Sequence, residues 1–452
     1  MKAHTQWSYR PYRPILWEKR FPFICRLVPD ETGVYLDWLG DGCQRVYWRK
    51  RGEEEFFSCP GENGSCRISG LEPDTDYEIR VGEGELRLAR TGSYPGTVVN
   101  YVHPEDNVYA FSGHALCSPS MVRAPQGHLL SSMDLFSSRA PQNLSLIFRS
   151  DDDGATWRYV CDLFPCFWGR LFVHRGRLFI IAVSTEFGDL LIGESKDGGN
   201  TWGNPTVLLR GGCKREEDGA HRNPQPVVEH NGRLWFSLEW GHSPYAGLHG
   251  SVPADADPMD AENWLFSEPV KMDPAWTGEP GITSTAILEG CMTVCPAGRL
   301  RNIYRYQLIG NTPSYGLAVV MDVNEADPEA PETFCRMMSF PGNHSKFMIK
   351  PVPGEELYLS IVSRILGPGC EGNRNLLSLV SSRDLEKWEL VCDLLDHRND
   401  DPKLVGFQYV DFFFEGDDLL WLCRTAINGA RNFHDANCQT FHRIKNYKDI
   451  LK

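Results

Sequence analysis

Ser150-Asp151-Asp152-Asp153-Gly154-Ala155-Thr156-Trp157 and Ser195-Lys196-Asp197-Gly198-Gly199-Asn200-Thr201-Trp202 fit one pattern, Ser-x-Asp-x-Gly-x-Thr-Trp. Looser copies run from Asp257 to Trp264 and over Ser382-Arg383-Asp384-Leu385-Glu386-Lys387-Trp388. The tryptophans lie 45, 62 and 124 residues apart, the last step reading as two of 62 with one copy eroded. Such a period marks a repeat architecture before any single element is assigned. The turn has a structural logic: Asp accepts backbone N–H groups, Gly takes the left-handed conformation, and Trp covers an outer layer. These residues are therefore assigned to folding and none to chemistry.

Around the turns, residues 100–447 are dense in short alternating strands and lack a 3.6-residue period long enough for a helix. About 340 residues with one turn per four-stranded unit give about six units, arranged radially so that no long sheet edge stays exposed. The strand near Asn437 to Ile444 is expected to close the ring against the first. The fold class expected is therefore all-β, a six-bladed β-propeller.

Residues 22–95 carry a different rhythm, with short strands such as VYLDWLG, RVYWRKRG and YEIRV between Gly, Pro, Asp and Asn turns. They read as a small β-sandwich after an N-terminal extension, residues 1–21. Leu71-Glu72-Pro73-Asp74-Thr75-Asp76-Tyr77 resembles the LxPxTxY corner of fibronectin type III domains, in which the Tyr ring packs inward and its hydroxyl satisfies nearby backbone. Trp38 and Trp48 are then expected in the inter-sheet core.

Of the 452 residues, 41% are hydrophobic and 23% charged, and the net charge is −14. An averaged negative field repels phosphate backbones and anionic lipid, which argues against nucleic-acid and membrane-surface partners. No apolar stretch approaches the length of a bilayer span, and the first residues lack a secretory pattern, so a cytoplasmic location is expected. The 15 cysteines form no CxxC pair or zinc spacing and read as buried thiols, with no metal and no cofactor implied.

The Ser-x-Asp-x-Gly-x-Thr-Trp copies at blade-like steps resemble the Asp-boxes of the sialidase (neuraminidase) superfamily, six-bladed propellers whose site lies at one end of the axial channel. That resemblance covers about three quarters of the chain. It implies three arginines holding a carboxylate, a Tyr nucleophile helped by a Glu, and an Asp acid/base, one of the exceptions to the two-carboxylate glycosidase scheme. Glu289, ahead of a Gly298 turn that leads to Arg305, matches the Glu and one of the arginines. Tyr409, in Gly406-Phe407-Gln408-Tyr409-Val410-Asp411, matches the Tyr, with Gln408 beside it. Where those enzymes carry Arg-Ile-Pro this sequence reads Cys117-Ser118-Pro119, so the first arginine is missing. Arg424 could replace it from the last blade, since a guanidinium is a planar fork for a carboxylate. The third cation is Lys346 or Arg222. Asp134, shortly after the first inner strand, falls where the acid/base loop would lie.

Other polar residues lack an evident core role. His221 and Arg222 precede, and Glu239 and Trp240 end, a hairpin with an Asn231-Gly232 turn, so both ends share one rim, with Trp240 suited to stacking on a sugar. His434, next to Asp435, suits a general acid or base. Trp168 and His174 read as core of the second blade. With these residues, the resemblance implies an exo-acting glycoside hydrolase on a terminal sialic or uronic acid. The alternatives are a uronate lyase with Tyr409 or His434 as base, and a non-catalytic glycan binder.

Overall fold

The structure of the protein, a computed structural model, describes residues 20–212, 218–241, 245–283, 285–308, 316–367, 369–370 and 372–451. Most of the extension expected over residues 1–21 lies outside them. Among the described residues the chain is all-β, with short 3-10 turns and no α-helix.

Strands Phe23–Pro29, Gly33–Leu39 and Ser65–Ser69 form one N-terminal sheet; Phe57–Gly61, Gln44–Lys50, Asp76–Val81 and Arg87–Arg90 form a second. The alternation in DYEIRV buries every second side chain, so one face of each sheet turns to a shared core holding Leu36, Val46, Ile68, Tyr77 and Ile79. The Tyr77 hydroxyl accepts the Glu72 N–H at 2.9 Å. Trp38 is buried in this core. Trp48, expected beside it, is only half-buried and stacks on the exposed Phe57 at the margin.

The remaining strands fall into six antiparallel sheets in chain order. The first contains Ser120–Arg123, Leu129–Phe136, Ser145–Ser150 and Arg158–Leu163; the second Phe167–His174, Arg177–Val183, Leu190–Ser195 and Thr206–Leu209. The third is built on the hairpin Arg233–Trp240 and Ala246–Pro253, with Ala220–His221 and Val228–His230 on its inner side. Thr285–Val294, Leu300–Leu308, Leu317–Asp322 and Thr333–Ser339 make the fourth, and Ile349–Pro351, Tyr358–Ser363, Leu376–Ser382 and Glu389–Asp396 the fifth. The sixth joins Gly406–Glu415, Asp418–Ala426 and Cys438–Ile444 to Thr97–Tyr101, a strand that precedes the first of the six sheets in sequence. Its innermost strand touches that of the first sheet, which closes the ring.

Burial falls from the inside of each sheet outward. FWGRLFVH is buried at nearly every position because neighbouring sheets cover both its faces, whereas ELVCDLLD on an outer edge is half-exposed. The repeated turns join third to fourth strands. Asp152, Asp197 and Asp384 each accept a backbone N–H, from Thr156, Thr201 and Lys387, at 2.8 Å. In the fourth sheet, where the repeat is eroded, Asn324 takes the N–H groups of Ala326 and Asp327 instead.

Three innermost strands share an irregularity that positions the site. Pairing skips between Phe167 and Arg170, between Leu288 and Cys291, and between Gln408 and Asp411. At each bulge a non-glycine residue takes left-handed backbone: Trp168 (φ 53°), Glu289 (φ 56°) and Tyr409 (φ 57°). Bulges re-aim side chains and recur beside active sites.

Candidate active site

The Tyr409 hydroxyl donates to Glu289 Oε1 at 2.6 Å, joining residues 120 apart in sequence. Arg305 Nη1 holds the other carboxylate oxygen at 2.8 Å, and Asn223 Nδ2 donates to Oε1 at 2.7 Å. Asn223 is fixed in turn by Ser118, whose hydroxyl donates to its Oδ1 at 2.8 Å. Two further guanidinium groups flank the phenol ring: Arg424 lies 4.9 Å and Arg374 6.0 Å from its centroid. Three cations thus surround one carboxylate and one neutral phenol, a setting that favours an anionic ligand.

The electrostatics follow from that grouping. Burial pushes the Glu289 carboxyl upward, but Arg305 and the Tyr409 hydrogen bond outweigh it, and Glu289 stays below its ordinary range. Burial and then the Glu289 charge raise Tyr409 above the usual phenol range, opposed by Arg305, Arg374 and Arg424. Burial works against the charge of Arg305, yet Glu289 leaves it raised. Burial lowers Arg374 to about 10.

Arg424 fills the space beside the missing arginine: Nη1 lies 3.2 Å from Cys117 Sγ, and Nη2 donates to the His434 carbonyl. Its guanidinium lies 4.9 Å from the Tyr409 ring centroid and 5.5 Å from that of Phe136. His434 Nδ1 lies 3.0 Å from Asp435 Oδ1, and burial together with Arg424 lowers the imidazole to about 4. At neutral pH His434 is therefore uncharged, able to accept a proton and unable to act as an imidazolium acid. Asp435 itself is held below its ordinary value, the His434 contact outweighing burial.

His221 and Glu239 do meet at the hairpin end, Nδ1 to Oε2 at 2.9 Å, and Glu239 Oε1 accepts the Gly290 N–H of the neighbouring bulge at 3.2 Å. Burial raises Glu239. Four other expected residues point elsewhere. Trp240 follows Glu239 and so turns to the opposite face of its strand, where it packs against the core between the second and third sheets. Arg222 is wholly buried, donates to the Ile181 carbonyl and lies over Phe236, so it does not share the rim. Lys346 Nζ donates to the Val410 carbonyl beside the Arg170–Asp411 ion pair, and burial lowers it to about 8. Gln408 is buried and spent on Arg374 and on the Phe433 carbonyl.

Asp134 lies within strand Leu129–Phe136 rather than in a loop, and it is inaccessible to solvent. Its carboxylate accepts from the Ser145 hydroxyl. Burial raises it to about 7, against that hydroxyl and the backbone N–H groups of Trp168 and Gly169. The sequence reading missed Arg374, which precedes Leu376–Ser382 in an irregular Asn373-Arg374-Asn375 segment. Trp168, read from the sequence as core, is buried in the core between the second and third sheets, at a bulge that is the counterpart of those at Glu289 and Tyr409. Among the described residues no group of three His, Cys, Asp or Glu side chains could hold a metal ion.

No family model matches the chain, and no curated protein matches it. Solved structures do. An α-L-arabinanase of Penicillium chrysogenum, complexed with arabinobiose, is 15% identical over 78% of this chain and 98% of its own, with a TM-score of 0.53. The NanB sialidase of Streptococcus pneumoniae is 10% identical over 92% of this chain and 90% of its own, at 0.51. The leech intramolecular trans-sialidase is 11% identical over 93% and 91%, at 0.50. These neighbours are β-propeller glycosidases, and at such identities the likeness to this chain is one of fold.

Proposed function

We propose that the protein is a carbohydrate-active enzyme built as a six-bladed propeller with a fibronectin type III-like sandwich, and that it hydrolyses a terminal acidic sugar from an oligosaccharide. The observation that carries this reading is the 2.6 Å hydrogen bond between Tyr409 and Glu289 inside a shell of three guanidinium groups. Arg305, Arg374 and Arg424 would hold the sugar's carboxylate, a charge that a neutral sugar could not offer them. Glu289 takes the phenolic proton as the Tyr409 oxygen bonds to the anomeric carbon and the glycosidic C–O bond breaks. Asp134, protonated up to about pH 7, supplies the proton that the leaving oxygen takes up. Water then attacks the anomeric carbon, gives one proton back along the same path, and the Tyr409 oxygen leaves and recovers its proton from Glu289.

A second reading, β-elimination from a uronate, is favoured by one feature. His434 is an uncharged imidazole beside Arg424, placed to remove the proton next to a carboxylate that the guanidinium groups acidify, although burial and Arg424 leave it a weak base. Incubation with sialyl- and glucuronyl-capped oligosaccharides separates the readings. Free sugar indicates hydrolysis, an absorbance near roughly 235 nm indicates an unsaturated uronate, and tight binding with neither product indicates a lectin. Tyr409→Phe is expected to abolish hydrolysis while leaving the thermal transition nearly unchanged; retained turnover removes Tyr409 from the chemistry.

A further inference from the structure

The N-terminal sandwich holds two cysteines whose sulfur atoms meet. Cys59 lies on strand Phe57–Gly61 and Cys66 on Ser65–Ser69, and their Sγ atoms are 3.3 Å apart. The pairing register explains the meeting. Cys59 stands opposite Val46 and Cys66 opposite Leu36, and cross-strand partners share a face of their sheet. Val46 and Leu36 are wholly buried between the two sheets, so both cysteines point inward, from opposite sheets, at one core.

The chain that joins them is short and fixed. Asn63 and Gly64 take left-handed backbone (φ 55° and 72°), as a tight two-residue turn requires, and Glu62 and Ser65 exchange N–H···O bonds across it at 3.2 and 3.0 Å. The Gly64 N–H donates to the Gly42 carbonyl at 3.1 Å, and its carbonyl accepts the Trp38 N–H at 2.8 Å. Phe57–Gly61 and Ser65–Ser69 are each an edge strand of their sheet, which leaves the cysteines half-buried at a margin rather than sealed in the core. A small reagent can therefore reach them. A disulfide demands close and specific geometry, so a pair already in contact closes with little movement of the backbone.

We infer that Cys59 and Cys66 are a redox-active thiol pair, oxidised by a small-molecule disulfide to a covalent link between the two sheets of the sandwich. Burial, and then the Cys59 contact, pushes the Cys66 thiol up to about 12, so Cys66 keeps its proton and Cys59 attacks first. The Cys59 thiolate bonds to one sulfur of the small disulfide and expels the other as a thiolate, leaving a mixed disulfide on the protein. Cys66 then gives up its proton, attacks the Cys59 sulfur and expels the second thiolate. The protein loses a pair of electrons and a pair of protons, and the small disulfide is reduced to its thiols.

The full-length protein, first reduced and then incubated with glutathione disulfide, tests this by peptide mass mapping without reductant. Trypsin leaves both cysteines on one peptide, bounded by Arg51 and Arg67, and a Glu-specific protease then cuts at Glu62 between them. The two fragments should stay joined and separate only on reduction. Fragments that come apart with free thiols, or with glutathione on either cysteine, overturn the inference. Cys66→Ser should trap glutathione on Cys59, and a Cys66→Ser chain whose Cys59 stays unmodified overturns its role as the attacking thiol. The link should also slow amide hydrogen exchange in the edge strand Phe57–Gly61 relative to the reduced chain; equal rates overturn its hold on that margin.

Discussion

Asp134 shows how one buried carboxyl links stability to activity. Its folded pKa, about 7, lies above the ordinary value of about 4 for an unfolded Asp, so the native state binds the extra proton between those limits. The associated stability is fully present below about pH 4 and is lost as pH rises through 7. Asp134→Asn keeps an acceptor for Ser145 but cannot titrate, so its thermal midpoint should fall less than that of wild type between pH 4 and 7. The proposed acid role adds a kinetic counterpart: wild-type kcat/KM should decline above about pH 7, and Asp134→Asn should lose both the rate and that limb. Glu289, held low by Arg305, keeps its charge well into acidic solution, so it sets the acid limb below the usual carboxylate range.

Among elements, the bulges and the repeated turns do separate work. Gly290 follows the Glu289 bulge where a Cβ would meet Ser237 Oγ at 2.3 Å and Asn302 Oδ1 at 2.6 Å. Gly290→Ala is therefore expected to destabilise the protein by about 1–3 kcal/mol in urea unfolding and to weaken sugar binding through Glu289. Asp197 holds the Thr201 N–H and hydroxyl in an exposed turn on the outer side of the second sheet. Asp197→Ala should cost about 1 kcal/mol in the same measurement and leave Kd for the sugar unchanged, since the turn lies away from Tyr409. The turns were legible because their residues meet one another within eight positions. The bulge at Trp168 was not, because the run Phe167-Trp168-Gly169-Arg170 reads as ordinary buried strand until the skipped pairing is seen.

At the scale of the molecule, the N-terminal sandwich is fastened to the last sheet, on the outer side of the ring. Val98, Tyr101 and Cys438 of that sheet belong to the sandwich core, and Arg26 Nε donates to the Val99 carbonyl at 2.7 Å. Arg87 and Asp106 form a buried ion pair across the junction at 2.5 Å. Asp106→Asn leaves the Arg87 charge buried with a neutral partner and should cost about 3–5 kcal/mol, read as a lower urea midpoint. If the two parts unfold as one unit, the whole transition moves; a separate early transition would mean that the junction alone depends on the pair.

By itself the sequence determined the all-β character, the repeat and its turns, and the pairing of His221 with Glu239 at one hairpin end, because each depends on neighbours within one strand or hairpin. It also singled out Glu289, Arg305, Tyr409 and Arg424 as candidates from their order along the chain. Only the tertiary structure decided which side chains share the mouth of the ring. It brought in Arg374, and it turned Arg222, Lys346, Gln408 and Trp240 to other partners. The reason is geometric: a strand alternates faces at every residue, and a two-residue bulge re-aims the side chain it carries, so local pattern leaves the inward direction undetermined.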